Sequence, residues 1–201
     1  MSARFFLFFF LISGLASAQT TYKTQLDQHR TDYKDKFLKS DRSPLKADDL
    51  KYLKFFDGDE AYEVQASFTA TPEAEPFELP TYSGITKPYR QYGWLDFKLS
   101  GTEYRLAVYQ SMQLRVMPKF KNHLFLPFKD LTNGEETYGG GRYLDLETTD
   151  IKSGKLTLDF NKAYNPWCAY SDGYNCPIPP KENHLQIAIK AGEKLFGKVH
   201  E

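Results

Sequence analysis

"WLDFKLSGTEYRLAVY", residues 94–109, decides the fold. Leu95, Phe97 and Leu99 alternate with polar partners before Ser100-Gly101, and Tyr104, Leu106 and Val108 alternate after it. A period of two sends successive side chains to opposite faces of a strand, and a Ser-Gly pair between two such runs supplies the turn of a β-hairpin. The same period recurs on both sides of the hairpin. "AYEVQASFTAT" (61–71) alternates at Tyr62, Val64, Ala66, Phe68 and Ala70, and "HLFLPF" (123–128), "GRYLDL" (141–146), "KLTLDF" (155–160) and "LQIAIK" (185–190) read as further short strands. Turn signals such as Asn133-Gly134 and Ser153-Gly154 separate them. Many short strands with local connections predict a mainly β fold, an antiparallel sheet curled into a barrel or sandwich. "TPEAEPFELPTYSGITKP" (71–88), rich in proline and turn residues, reads as a long surface excursion.

Upstream of the strands the period changes. Tyr22, Leu26, His29, Tyr33 and Phe37 fall three or four residues apart with charged residues between them, which predicts an amphipathic helix over 19–42 that ends before Ser43-Pro44. A second short helical turn is expected around Ala47 to Leu53. Further upstream, Arg4, the apolar run from Phe5 to Leu15, and Ala16-Ser17-Ala18 have the three-part pattern of a signal peptide over 1–18. The run is shorter than the ~20 residues a spanning helix needs. Cleavage after Ala18 implies export, to the periplasm or the extracellular space. No cysteine at that junction offers a lipid attachment point, and no second stretch is apolar enough to give the mature chain a membrane span. Residues 43–201 are then a single β-rich domain.

Composition narrows the partners. The chain has 26 basic and 26 acidic residues, and loss of Arg4 with the signal leaves the mature chain near a charge of minus one. That balance argues against nucleic acid, which requires a basic face, and against an anionic membrane surface. With 41% hydrophobic and 16% aromatic residues the chain can bury a core.

The second half holds the unusual chemistry. "DFNKAYNPWCAYSDGYNCPIPPKENHL" (159–185) contains both cysteines, Cys168 and Cys176, among Asn161, Tyr164, Asn165, Trp167, Tyr170, Tyr174 and Asn175. In an oxidising compartment two cysteines so close form a disulfide most simply, which stabilises by roughly 2 to 3 kcal/mol on the chain-entropy estimate. A metal site of Cys168, Cys176 and His184 has the wrong spacing for a zinc motif and too few ligands, so no metal is expected. A reactive thiol pair is disfavoured by spacing far from Cys-x-x-Cys.

"TYGGGRYLDL" (137–146), "DFNKAYNPWCAYSDGYNCPIPP" (159–180), "KENHL" (181–185) and "KAGEK" (190–194), with "DRSPL" (41–45) and "YGWLDF" (92–97) upstream, give the chain its one family resemblance. It resembles the bacterial family of domains of unknown function numbered sixteen-eighty-four, over almost all of the mature chain. The family pattern reads Tyr-Asn-Pro-Pro-Cys and Glu-Asn-Arg where this chain has Trp167 and His184, so an arginine suited to an anion is here a histidine. The resemblance brings no activity. It implies that the triple-glycine arm, the asparagine and tyrosine cluster and the cysteine loop form one feature.

Gly139, Gly140 and Gly141 open no helix and precede no Lys-Ser or Lys-Thr, so a phosphate loop does not fit. A backbone bulge at a barrel corner fits better. Such a bulge would turn Arg142 and Tyr138 inward beside Asn161, Tyr164 and Asn165, with the Arg142 fork available to a carboxylate or phosphate. The expectation is an exported binding module, its Arg/Asn/Tyr-lined pocket taking a small polar or aromatic anionic ligand without a cofactor. Two alternatives remain: an envelope hydrolase using Glu136 or Asp159 as general base with Tyr138 or Tyr164 as proton donor, and an envelope scaffold. Among carboxylates, Asp145 and Glu182 are also available. The four histidines are scattered, and no Gly-x-Ser-x-Gly or His-Glu-x-x-His appears.

Overall fold

The computed structural model describes residues 12–198, with side chains from residue 21 onward. Most of the signal segment and His200 lie outside the described residues. Helix α1 (Ile12–Lys39) is followed by short 3-10 turns and seven strands: β1 (Glu63–Ala70), β2 (Phe77–Pro80), β3 (Thr86–Leu99), β4 (Thr102–Ser111), β5 (His123–Phe128), β6 (Arg142–Glu147) and β7 (Lys155–Asp159). They form one antiparallel sheet in the order β6-β5-β4-β3-β1-β7, with β2 paired to β3, that curls into a half-barrel.

The hairpin read from 94–109 is the long β3–β4 pair, in register from Tyr89↔Ser111 to Leu99↔Thr102 with a slip between Gln91 and Gly93. Gly93 is needed at that slip, because a Cβ there would lie 2.6 Å from the Thr69 carbonyl oxygen on β1. Leu95, Phe97, Leu99, Leu106 and Val108 point into the main core with Leu124, Leu126, Phe128, Leu156, Leu158 and Phe160. The alternate positions of the central strands are also covered. Ala107, Tyr109, Phe125 and Tyr143 join Tyr89 and Leu79 in a second cluster on the other face, which is why "LAVY" reads as a continuous apolar run.

Two expectations about the strands change. The 71–88 excursion contains strand β2, whose Phe77 to Pro80 pair with Tyr89 to Thr86 of β3 in a hairpin closed by the 81–85 turn. Pro76, Pro80 and Pro88 hid it, since proline is tolerated at an edge strand but weakens the strand signal. Conversely, "LQIAIK" (185–190) forms no strand. Its first half is tied by single backbone bonds, Leu185 N–H to the Lys129 carbonyl and Leu131 N–H to the Ile187 carbonyl, and its second half by side chains, with Ile189 N–H donating to Asp130 Oδ1 at 3.2 Å and Ile189 C=O accepting from Arg142 Nη2 at 2.9 Å.

Helix α1 ends at Lys39 and not at residue 42, with Lys36 and Lys39 in its last turn where positive charge suits the helix dipole. Its buried stripe is Leu26 and Phe37, and polar ties reinforce it. Tyr22 donates to Asp159 Oδ1 at 3.1 Å, and Arg30 Nη2 donates to the Phe56 carbonyl at 2.7 Å. The helical turn expected near 47–53 is the 3-10 turn Ala47–Tyr52.

Candidate functional site

The structure takes the predicted anion anchor out of any pocket. Arg142 is 0% exposed. Its Nη2 pairs with Asp130 Oδ2 at 2.7 Å, and its two terminal nitrogens reach the carbonyls of Ile189, Ala191 and Glu193. Burial lowers the guanidinium pKa while Asp130 opposes that. Asp130 is itself fixed, with Oδ1 accepting from Thr132 N–H at 2.9 Å and Thr132 Oγ1 at 2.6 Å. Arg142 therefore bolts the irregular segment 189–193 to the sheet.

The glycine arm is a turn and not a bulge. Gly141 N–H donates to the Tyr138 carbonyl at 3.1 Å, immediately before β6 begins. Only Gly141 of the three has a positive φ, 93°, and a Cβ there would lie 2.7 Å from the Phe128 carbonyl oxygen. The turn lets β6 start against β5 with Arg142 directed inward.

Asn161 and Asn165 are also internal. The Asn161 side chain bridges Asp59 and Asp159, donating to the Asp59 carbonyl at 2.8 Å and accepting from Asp59 N–H at 3.1 Å. Asn165 Nδ2 donates to the Lys194 carbonyl at 2.8 Å. Glu136 is held by Lys190 at 2.9 Å on the surface, and Tyr138 packs among the aromatic residues near Phe37. Asp159 Oδ1 accepts from Tyr22, from Asn161 N–H and from Asn161 Nδ2. Of the residues singled out in the sequence, Tyr164 and Asp145 face open space at one cluster of titratable groups, and Asp159 lines the larger of two grooves there.

Two open grooves meet at that cluster. The larger, about 840 Å³, runs between β6, β7 and α1, and the smaller, about 530 Å³, lies against the second core face. Both are lined by His123, Asp145, Tyr164 and Trp167. Tyr164 is placed by a two-bond bridge to β6, its N–H and C=O pairing with Tyr143 at 3.0 and 2.9 Å. Its phenol donates to Asp145 Oδ1 at 2.9 Å, and His123 Nε2 lies 3.0 Å from the same oxygen. The register Phe125↔Asp145 on β5 and β6 brings His123 and Asp145 to neighbouring positions. With its proton on Nε2, His123 donates to Asp145 and its buried Nδ1 has no partner. Asp145 is 49% exposed and its second oxygen is open to the groove. Burial, then the Asp145 charge, push the Tyr164 phenol well above its ordinary range, so it stays protonated and remains a donor.

The smaller groove has an aromatic wall of Tyr89, Phe125, Tyr143, Trp167 and Tyr174, with Arg42 and Lys87 at its margin. Neither cation has a carboxylate within ion-pair distance among the described residues. Lys87 is half-buried, and desolvation lowers its pKa. The Cys168–Cys176 disulfide, with Cα atoms 6.3 Å apart, closes the loop that forms one wall through Trp167 and Tyr174. Tyr174 ties that wall to the end of the helical arm by donating to the Arg42 carbonyl at 2.8 Å. The groove was missed in the sequence because Arg42, Lys87, His123 and Asp145 come from four distant segments. His184, where the family resemblance implies an arginine, contacts the Pro179 carbonyl at 3.1 Å and lines neither groove.

The profile of the family described as "Protein of unknown function (DUF1684)" matches residues 48–194. The chain belongs to that family. The DUF1684 span covers β1–β7, the disulfide and the segment bolted by Arg142, and begins after α1. The chain is also similar to the solution NMR structure of an uncharacterized protein from Haloarcula marismortui, with 35% identity over 89% of this chain and 96% of that one and a TM-score of 0.68. Among curated proteins there is no match.

Proposed function

We propose that this DUF1684 protein is an exported binding module whose smaller groove holds a small ligand with a flat, apolar body and an acidic group. The observation that carries the reading is the placement of Lys87 and Arg42, cations without carboxylate partners, at the margin of an aromatic wall. Aromatic faces supply area at low entropic cost, and a half-buried, unpaired ammonium favours an anion that replaces its lost hydration. At the far end of the groove, Asp145 and Tyr164 offer an acceptor and a donor for polar groups on the ligand. The disulfide supports export, since such bonds persist in oxidising compartments. No helix among the described residues is long and apolar enough to cross a membrane.

The test is two-dimensional NMR of the labelled protein titrated with small aromatic carboxylates and with the matching neutral amides. Acids are expected to shift the Trp167 indole and the residues around Lys87, and Lys87→Gln to weaken binding about tenfold, the loss of one charge-assisted contact. Equal shifts from acids and amides, or none from either, would overturn the reading.

A second reading, hydrolysis, is favoured by Asp145, which has one oxygen oriented by two neighbours and the other open. It moves the general base from Glu136 or Asp159 to Asp145 and keeps Tyr164 as donor. Turnover of small ester, amide or glycoside substrates, lost in Asp145→Asn, would establish it.

A further inference from the structure

Beneath the floor of the larger groove lies a polar cluster that the binding reading does not use. Glu193 is completely buried. Its Oε1 lies 2.7 Å from the Tyr170 hydroxyl, which lies 2.8 Å from the Tyr33 hydroxyl, which lies 2.9 Å from Glu193 Oε2. Three short oxygen–oxygen contacts thus close a ring, and each needs a hydrogen. The two phenols bring two. An ionised carboxylate brings none, and both phenols would then donate to it, leaving the 2.8 Å contact between the phenol oxygens as lone pair against lone pair.

We propose that Glu193 is a carboxylic acid in the folded protein near neutral pH, and that its proton completes a ring of hydrogen bonds clamping α1 to the body of the fold. In that ring Glu193 donates to Tyr170, Tyr170 donates to Tyr33, and Tyr33 donates back to the second carboxyl oxygen. The Asn165 N–H, 2.9 Å from Oε2, is a fourth donor that serves either protonation state.

The surrounding charges agree. From β6, Arg142 bonds the backbone carbonyl of Glu193 and pairs with Asp130, so its charge acts on the Glu193 carboxyl only without a direct contact. On Glu193's own segment, Lys190 pairs with Glu136 and Lys194 lies over the Phe56 ring. From α1 the facing titratable group is Tyr33, and Asp145 acts on Tyr33 from the groove side. No cation among the described residues forms an ion pair with the Glu193 carboxylate. Burial raises its pKa to about 7, against the lowering effect of its hydrogen-bond donors.

The clamp matters because Tyr33 stands on α1 and its ring packs 5.8 Å from that of Tyr164. His29, Tyr33, Lys36 and Phe37 of the same helix form one wall of the larger groove. Loss of the Glu193 proton breaks the ring at the Tyr33–Tyr170 contact and loosens that wall. The inference is independent of what the grooves bind.

The experiment is a pH titration of the intact protein carrying 13C-labelled glutamate carboxyls, with Glu193→Gln assigning the resonance, alongside hydrogen exchange of the α1 amides corrected for intrinsic rate. Glu193 is expected to titrate near neutrality, and α1 protection to fall up to tenfold per pH unit above that midpoint. Glu193→Gln, whose amide donates as the acid does, should hold α1 protection constant across pH 5–9. Tyr33→Phe should lower it at every pH. Titration of Glu193 below pH 5.5, or α1 protection unchanged while Glu193 titrates, would overturn the proposal. Where Glu193→Gln does not fold, the carboxyl resonance is assigned by through-bond correlation from the Glu193 amide, and the wild-type titration with Tyr33→Phe decides the matter.

Discussion

Arg142 shows how a single side chain can read as a ligand anchor and act as a bolt. Its fork is filled by Asp130 and by three carbonyls of the 189–193 segment. Removing one partner of a buried pair strands the other charge, which costs about 3–5 kcal/mol, whereas replacing both with apolar groups is often neutral. Asp130→Ala is therefore expected to lower unfolding free energy by about 4 kcal/mol in urea denaturation, and Asp130→Leu with Arg142→Met to recover little of it, because the carbonyls of Ile189, Ala191 and Glu193 then lose their donor. A double variant as stable as the wild type would contradict the bolt. The sequence could not disclose this arrangement, because the guanidinium's partners are backbone carbonyls some 50 positions away, and carbonyls carry no residue identity. Glu193 escaped notice for the same reason in reverse, since a lone glutamate in "KAGEK" gives no sign of being buried.

At the scale of elements, what was legible was periodic. The β3–β4 hairpin, β1, β5, β6 and β7 all follow from alternation, and the face of α1 follows from the spacing of Leu26 and Phe37. Strand β2 was hidden by its prolines, and 185–190 imitated a strand because Leu185 and Ile189 are buried by a different route. Of the site, the sequence disclosed the disulfide loop and Tyr164, both local to one motif, and Asp145 only as one carboxylate among several. The α1 attachment carries a stability prediction of definite sign. The folded-state pKa of Glu193, about 7, lies above the carboxyl's ordinary 4.5, so the folded state holds the extra proton between those values. Its contribution is complete below pH 4.5 and is lost as pH rises toward 7, by roughly 3 kcal/mol. Comparison of wild type with Glu193→Gln by thermal or urea unfolding at pH 5 and pH 8 isolates it. The wild type should lose stability relative to the variant on going to pH 8, and a constant difference would refute the assignment.

For the whole molecule, one disulfide and one short C-terminal segment complete a sheet that does not close on itself. Reduction of Cys168–Cys176 releases a loop with a sequence separation of 8 and should cost about 2–3 kcal/mol, seen as a lower unfolding midpoint in dithiothreitol. Because Tyr174 stands on that loop and Trp167 immediately precedes it, their rings 5.2 Å apart, Trp167 fluorescence in a Trp94→Phe background should report loosening of the groove wall before global unfolding, and a midpoint unmoved by reductant would show the wall to be self-supporting.

Strands β4 and β5 are joined at the single pair Tyr109↔Phe125, and Asn183 stands in for the missing ladder with bonds of 2.7 and 2.8 Å to both polar groups of Ala107 and of 2.7 Å to the Pro127 carbonyl. The half-barrel therefore receives its wedge at residue 183 and its bolt at 189–193, after every strand in chain order. A nascent chain halted at residue 182 has every strand and neither fastening. Such a chain is expected to be cut rapidly by protease within β4 and β5, whereas one extended to residue 198 resists. The strands therefore stay loosely assembled until residues 183–193, which follow all of them in chain order, are in place.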